Sequence, residues 1–128
     1  MSTAKFNTWQ NPDGTENYKC RAWVNFNGTG TVAIRAAGGV TSITDNGTGD
    51  YTVNFTTAMP NADYVPMLQN TGYTSAGATL AMLGILTIYG DFSTPPTLKT
   101  TTQLRIASGR SYTSGFIDSI ECNVAIFC

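Results

Sequence analysis

The side chains able to do acid–base or nucleophilic work in this chain are eight carboxylates and three cysteines, with no histidine. Without His, the triads of serine and cysteine hydrolases cannot be built, and most metal hydrolases lose their usual ligand. One spacing does place two acids together. Asp45 and Asp50 bracket Asn46-Gly47-Thr48-Gly49, so a tight turn between them would bring their carboxylates close. Paired carboxylates are the equipment of a glycosidase, and DNGTGD has the look of a calcium loop. Asp at the mouth of a hairpin, however, ordinarily hydrogen-bonds its own backbone. The six residues also lack the ligand spacing and the closing bidentate Glu of calcium loops. Turn stabilisation is therefore the expectation, with no catalytic residues. Cys20, Cys122 and Cys128 have no metal-ligand spacing. They read as buried free thiols, so neither metal nor cofactor is expected.

Binding is better equipped than catalysis. Tyr73 lies in the polar stretch Asn70 to Ala78, and Tyr112 lies beside Arg110 in the polar stretch Ser108 to Gly115. An aromatic with a hydroxyl, set in a polar loop next to a guanidinium, can stack on a sugar ring or seat a protein partner. The plainer role is packing on the loop that carries it. Near the start, Phe6 and Trp9 are the hydrophobic pair of residues 1–19, followed by the turn sequence Asn11-Pro12-Asp13-Gly14. Large aromatics on a loose tail are costly in water, so residues 1–19 read as an arm docked on a neighbouring subunit through Phe6 and Trp9.

The elements that must position these loops are strands. Asn-Gly-Thr-Gly occurs at 27–30 and again at 46–49, each time between β-rich runs. Asn-Gly supplies the positive φ angles of a tight hairpin. Ahead of the first turn Ala22, Val24 and Phe26 alternate with Trp23 and Asn25; after the second, Tyr51, Val53 and Phe55 alternate with Thr52 and Asn54. That period of two predicts a pair of hairpins whose sheets have one buried face. Gly38-Gly39 separates them. Tyr64 to Gln69 is a further strand, with Pro66 confining it to an edge or bulge. Leu80 to Tyr89, the most apolar run, reads as a strand or as two short ones bent at Gly84. Gln103 to Ala107 alternates, and the last strand sets Ile120, Cys122, Val124 and Ile126 against Glu121, Asn123, Ala125 and Phe127. The chain predicts about eight short strands in an antiparallel β-sandwich or jelly roll over residues 20–128, without long helices.

At 128 residues the chain is the size of one domain, and 41% hydrophobic residues suffice for a core. Only 12% of residues are charged, about half the usual share. A subunit this poor in charge either presents a neutral hydroxyl-and-amide surface or buries much of its exterior against copies of itself. The net charge is −1 and the seven Lys and Arg are scattered, which argues against nucleic-acid binding. No apolar run reaches the roughly 20 residues of a spanning helix, and the first residues lack a signal-peptide core. Membrane insertion is not expected.

The stretches WVNFNGTGTVAIR and SITDNGTGDYTVNFTTAMP resemble a module common in bacteriophage virion proteins, above all tail-fibre-like proteins of marine and cyanobacterial phages. The opening residues, with Lys5, Asn7-Thr8 and Gln10, are similar to the start of such proteins. The resemblance implies a virion structural protein assembled in the host cytoplasm. It also implies an intertwined homotrimer, with the N-terminal end joined to other virion proteins of the tail, baseplate or capsid. Host-surface attachment, to a glycan or a protein, would fall to Tyr73, Arg110 and Tyr112. A decoration or cement protein on the outer capsid is the alternative, favoured by the small size and the clasping arm. A polysaccharide-degrading tailspike is more remote, because no parallel β-helix repeat is present.

Overall fold

The computed structural model describes residues 2–5, 7, 10–14, 19–71, 83–84, 86–88, 99–109 and 116–128. Among these the regular structure is all β: β1 (Cys20–Asn27), β2 (Ala33–Gly38), β3 (Val40–Gly47), β4 (Asp50–Phe55), β5 (Val65–Thr71), β6 (Leu83–Gly84), β7 (Leu86–Ile88), β8 (Gln103–Ser108) and β9 (Glu121–Phe127). They form two antiparallel sheets packed like a sandwich. One has the order β2-β1-β9-β5-β6 and the other β3-β4-β8-β7. β1 lies against the last strand, with Val24 opposite Val124 and Phe26 opposite Cys122. β4 lies against β8, with Val53 opposite Leu104.

The alternation in the sequence decides what is inside. Ala22, Val24 and Phe26 of β1 and Cys122, Val124 and Ile126 of β9 face Tyr51, Val53 and Phe55 of β4 and Leu104 and Ile106 of β8 in one buried cluster. Burying a side chain of this size contributes about 1.5–3 kcal/mol. Two edge-to-face aromatic pairs join the core, Phe26–Tyr51 with centroids 5.2 Å apart and Phe55–Tyr64 at 5.6 Å. Tyr64 closes one end, its hydroxyl 3.1 Å from the Thr100 carbonyl and its ring under the Lys99 ammonium.

Both expected hairpins form, but the turns are made differently from the expectation. Among the described residues no non-glycine residue has positive φ, and neither does Gly28. The fourth residue of each tetrad is left-handed, Gly30 at φ 62° and Gly49 at φ 64°, and in the second tetrad Gly47 also has positive φ, at 138°. Asn27 and Asp45 hold the turns from their side chains instead. Asn27 Oδ1 accepts from the Thr29 backbone N–H and hydroxyl, and Asp45 Oδ1 accepts from Gly47 N–H. After Gly38 the chain passes from one sheet to the other, so β2 and β3 are edge strands of different sheets.

Several boundaries differ from the sequence expectation. Pro66 sits in a strand that has a neighbour on both sides, yet β6 pairs only with Asn70 and Thr71. At Pro66 the far side of β5 has no described strand, which is where a residue without an N–H fits. The apolar run yields two short strands, one in each sheet, with the change of sheet falling after Gly84. Asn70 and Ser108, expected in loops, are the next-to-last residue of β5 and the last of β8, and both are buried. Ile120 is 41% exposed rather than part of the inward row. It precedes β9, and its carbonyl is held by the Arg35 guanidinium at 2.7 Å. Of the cysteines only Cys122 is buried; Cys20 and Cys128 are exposed, Cys20 as the first residue of β1 and Cys128 just past the end of β9.

Candidate functional site

One end of the sandwich gathers both glycine turns and the ends of β5 and β8 at Thr71 and Ser108. Gly28 N–H donates to the Ser119 carbonyl at 2.9 Å, and Gly49 N–H donates to Asp118 Oδ1 at 2.7 Å. The segment Ile117 to Ser119 therefore ties the first turn to the second. Ser108 N–H donates to the Gly49 carbonyl, and Ile117 N–H to the Ser108 carbonyl. The hydroxyl of Tyr51, rising from the core, lies 2.8 Å from Asp118 Oδ1 and 3.0 Å from the Gly28 carbonyl. Burial, and then the hydrogen bond to the Asp118 carboxylate, push the Tyr51 hydroxyl well above the ordinary phenol value. It is held as a donor.

Beneath this layer three buried polar side chains lock the loop roots. Asn70 Nδ2 donates to Ser108 Oγ at 2.7 Å and to Ser119 Oγ at 2.9 Å, and the two hydroxyls are 2.6 Å apart. Asn70 Oδ1 is buried without a partner. β5 and β8 belong to different sheets, so this cluster fixes the end of one sheet to the end of the other. The chain leaves the described structure just after these anchors, at Thr71 and at Gly109.

Tyr73, Arg110 and Tyr112 lie outside the described residues, as do Phe6 and Trp9. What is placed is the framework from which the two loops start, and it brings their roots together. Asp118, Asn70, Ser108 and Ser119 carry no motif in the sequence. Their one signal is composition, small polar residues at the margins of apolar runs, which reads equally well as loop.

The acids flanking the second turn are engaged separately. Asp45 holds the turn, as expected from its position. Asp50 takes the Arg105 guanidinium as a fork, with Nε 2.8 Å from Oδ1, and also accepts from Asn46. The Arg105 hydrogen bond keeps the Asp50 carboxyl below its ordinary value. Asn11 to Gly14 forms the expected turn, with Gly14 N–H 2.9 Å from the Asn11 carbonyl. Compared with protein-family models, with curated proteins and with solved structures, the chain matches none of them.

Proposed function

We propose that this chain is a bacteriophage virion structural protein, a homotrimeric tail-fibre or fibre-tip subunit that contributes to attachment at the host surface. The observation that carries the reading is where the resembling stretch falls. It forms one continuous unit, β1 to β4, whose two like turns share a left-handed fourth glycine and meet at one end beside Thr71 and Gly109, where segments 72–82 and 110–115 attach. Loops gathered at one end of a rigid sandwich are a common way to build a recognition surface. In this reading Tyr73, Arg110 and Tyr112 form the attachment surface, for a host glycan or protein. Residues 1–19, through Phe6 and Trp9, join the subunit to its virion neighbours.

The exposed edge of the sandwich supports assembly in copies. β2 is exposed over almost its whole length, with Ala33, Ile34, Ala36 and Ala37 on it. Its one charge, Arg35, is turned to Asn25 and the Ile120 carbonyl. Proteins that stay monomeric protect such an edge with charge, proline or a covering segment. Here a second copy is its cover, and β2 with β3 is the contact we assign to the trimer. The pairing of β1 with β9 in one sheet and of β4 with β8 in the other corresponds to the outer nested wraps of a jelly roll, the topology we read for residues 20–128.

Light scattering of the purified chain tests the assembly: a trimer at micromolar concentration is expected, and a monomer contradicts it. Ile34→Lys on β2 is expected to dissociate the trimer without unfolding the subunit. Deletion of residues 1–19 is expected to leave the sandwich folded and to abolish incorporation into particles. A truncated chain that is still incorporated contradicts the arm's role. Localisation on the capsid shell rather than the tail would favour the decoration protein instead.

A further inference from the structure

Away from the loop end, the outer face of the β2-β1-β9-β5-β6 sheet carries an open groove of about 510 Å³. Its floor is β9, where Ala125 and Asn123 face outward. Trp23 and Asn25 of β1 form one wall, and Met67 and Gln69 of β5 the other. Strands lie about 4.8 Å apart, so walls on either side of β9 stand roughly 10 Å apart between backbones. Less the bulk of the wall side chains, that leaves a slot about as wide as one pyranose ring. The small residue Ala125, between Trp23 and Met67, is what makes the slot.

The pose of Trp23 is built in. Gly38 lies opposite it on β2, and a Cβ at Gly38 would collide with the indole Nε1 and come within 3.0 Å of Cε2. With no side chain at Gly38, the indole leans over β2 and away from β9, opening the groove. At 44% exposure it presents a flat aromatic surface at the groove's rim. Along the strand direction the apolar row Trp23–Ala125–Met67 gives way to an amide row, Asn25–Asn123–Gln69. Asn25 Nδ2 is bonded to Asn123 Oδ1 and Glu121 Oε1, both at 2.7 Å, which fixes two of the amides. The Gln69 amide and the indole N–H have no protein partner in the described structure and are open to a ligand.

From this arrangement we infer a binding site for a neutral oligosaccharide, with one sugar ring stacked on Trp23 and its hydroxyls on the amides of Gln69, Asn25 and Asn123. An aromatic platform meets the C–H face of a sugar, and amides supply both donors and acceptors to hydroxyls. The other occupants fit less well. A nucleic acid needs phosphate partners, and no cation among the described residues lines the groove. An anionic glycan meets Glu121 at the amide end, where Arg35, the nearby counter-charge among the described residues, is already spent on Asn25 and Ile120. A peptide added as a strand needs a free backbone edge, which the face of a paired sheet does not offer. The site is a property of β1, β9 and β5 and stands apart from the loop end. Only the biological source of the glycan, a host surface, rests on the attachment reading.

The test is a glycan array carrying neutral and acidic oligosaccharides, probed with the full chain and with Trp23→Ala, Gly38→Val and Gln69→Ala. Neutral glycans are expected to be retained. Binding is expected to fall at least tenfold in Trp23→Ala and Gly38→Val and several-fold in Gln69→Ala, with circular dichroism unchanged in all three and oligomeric mass unchanged in Trp23→Ala and Gln69→Ala. Gly38→Val leaves the tryptophan in place and removes only its pose, so it separates platform geometry from loss of the ring. Retention of acidic glycans alone, retention of none, or binding undiminished in Trp23→Ala overturns the proposal. A drop in oligomeric mass in Trp23→Ala also overturns it, because the face would then be covered by another copy. None of these outcomes depends on particles, so the virion reading stands or falls separately.

Discussion

The Tyr51 hydroxyl and Asp118 Oδ1 are 2.8 Å apart across 67 residues of chain. Asp118 Oδ1 also receives the Gly49 N–H, and the same hydroxyl lies 3.0 Å from the Gly28 carbonyl. One phenol thus reaches from the centre of the core to both repeated turns. Tyr51→Phe keeps the edge-on contact with Phe26 and removes only this donor. It is expected to lower stability by about 1–2 kcal/mol, read as a lower urea midpoint at unchanged slope. A midpoint equal to that of the parent would mean that Asp118 holds the turns without Tyr51.

The twin turns make a controlled comparison. Gly30 and Gly49 share a left-handed φ, but a Cβ at Gly30 meets nothing within 4 Å, whereas at Gly49 it would lie 2.5 Å from the Ser108 carbonyl and 2.6 Å from that of Ile117. Gly30→Ala is expected to cost about 1–2 kcal/mol, the left-handed penalty alone. Gly49→Ala must in addition displace backbone that anchors the loop roots, and a loss at least twice as large is expected. Thermal unfolding of the two variants decides it. Equal losses would contradict the clasp.

Much of this was legible beforehand, and the reason is periodicity. Ala22-Val24-Phe26 and Tyr51-Val53-Phe55 alternate because each strand has one wet face, and all six are buried. Repeated Asn-Gly-Thr-Gly marked both hairpins, although the turns rest on the left-handed fourth glycine and on the side chains of Asn27 and Asp45. What periodicity could not show is which strands become neighbours across a sheet. The groove depends on Ala125 lying between Trp23 and Met67, a matter of register between β1, β9 and β5. The Asn70–Ser108–Ser119 cluster was illegible for a similar reason. Small polar residues at the end of a strand look like loop until the partner that satisfies them is known.

Stability is expected to fall on the alkaline side. Burial pushes the Cys122 thiol from 9.0 to about 12 and the Tyr64 phenol from 10.0 to about 12, and Tyr51 rises as well. Each group is neutral when protonated and has its folded value above its unfolded one. Its contribution is therefore complete below the unfolded value and is lost as pH rises toward the folded one. Urea midpoints are expected to be steady from pH 7 to about 8.5 and to drop progressively above pH 9. Midpoints that stay level up to pH 11 would contradict the burial of these groups.

The thiols provide a further check on the strand ends. Cys20 and Cys128 are exposed and Cys122 is buried. A thiol held neutral inside a sheet reacts only when the chain opens. In native buffer a maleimide is expected to label Cys20 and Cys128 quickly and Cys122 only on unfolding in guanidinium. Rapid labelling at all three positions would mean that β9 does not pack as described.

The proposed virion role is tested most directly by peptide mass spectrometry of gradient-purified phage particles from the culture that yields the chain. The expected result is the intact chain in the particles, at a copy number divisible by three and fixed relative to the tail proteins. Its recovery only from the infected-cell lysate, and never with particles, would contradict the account.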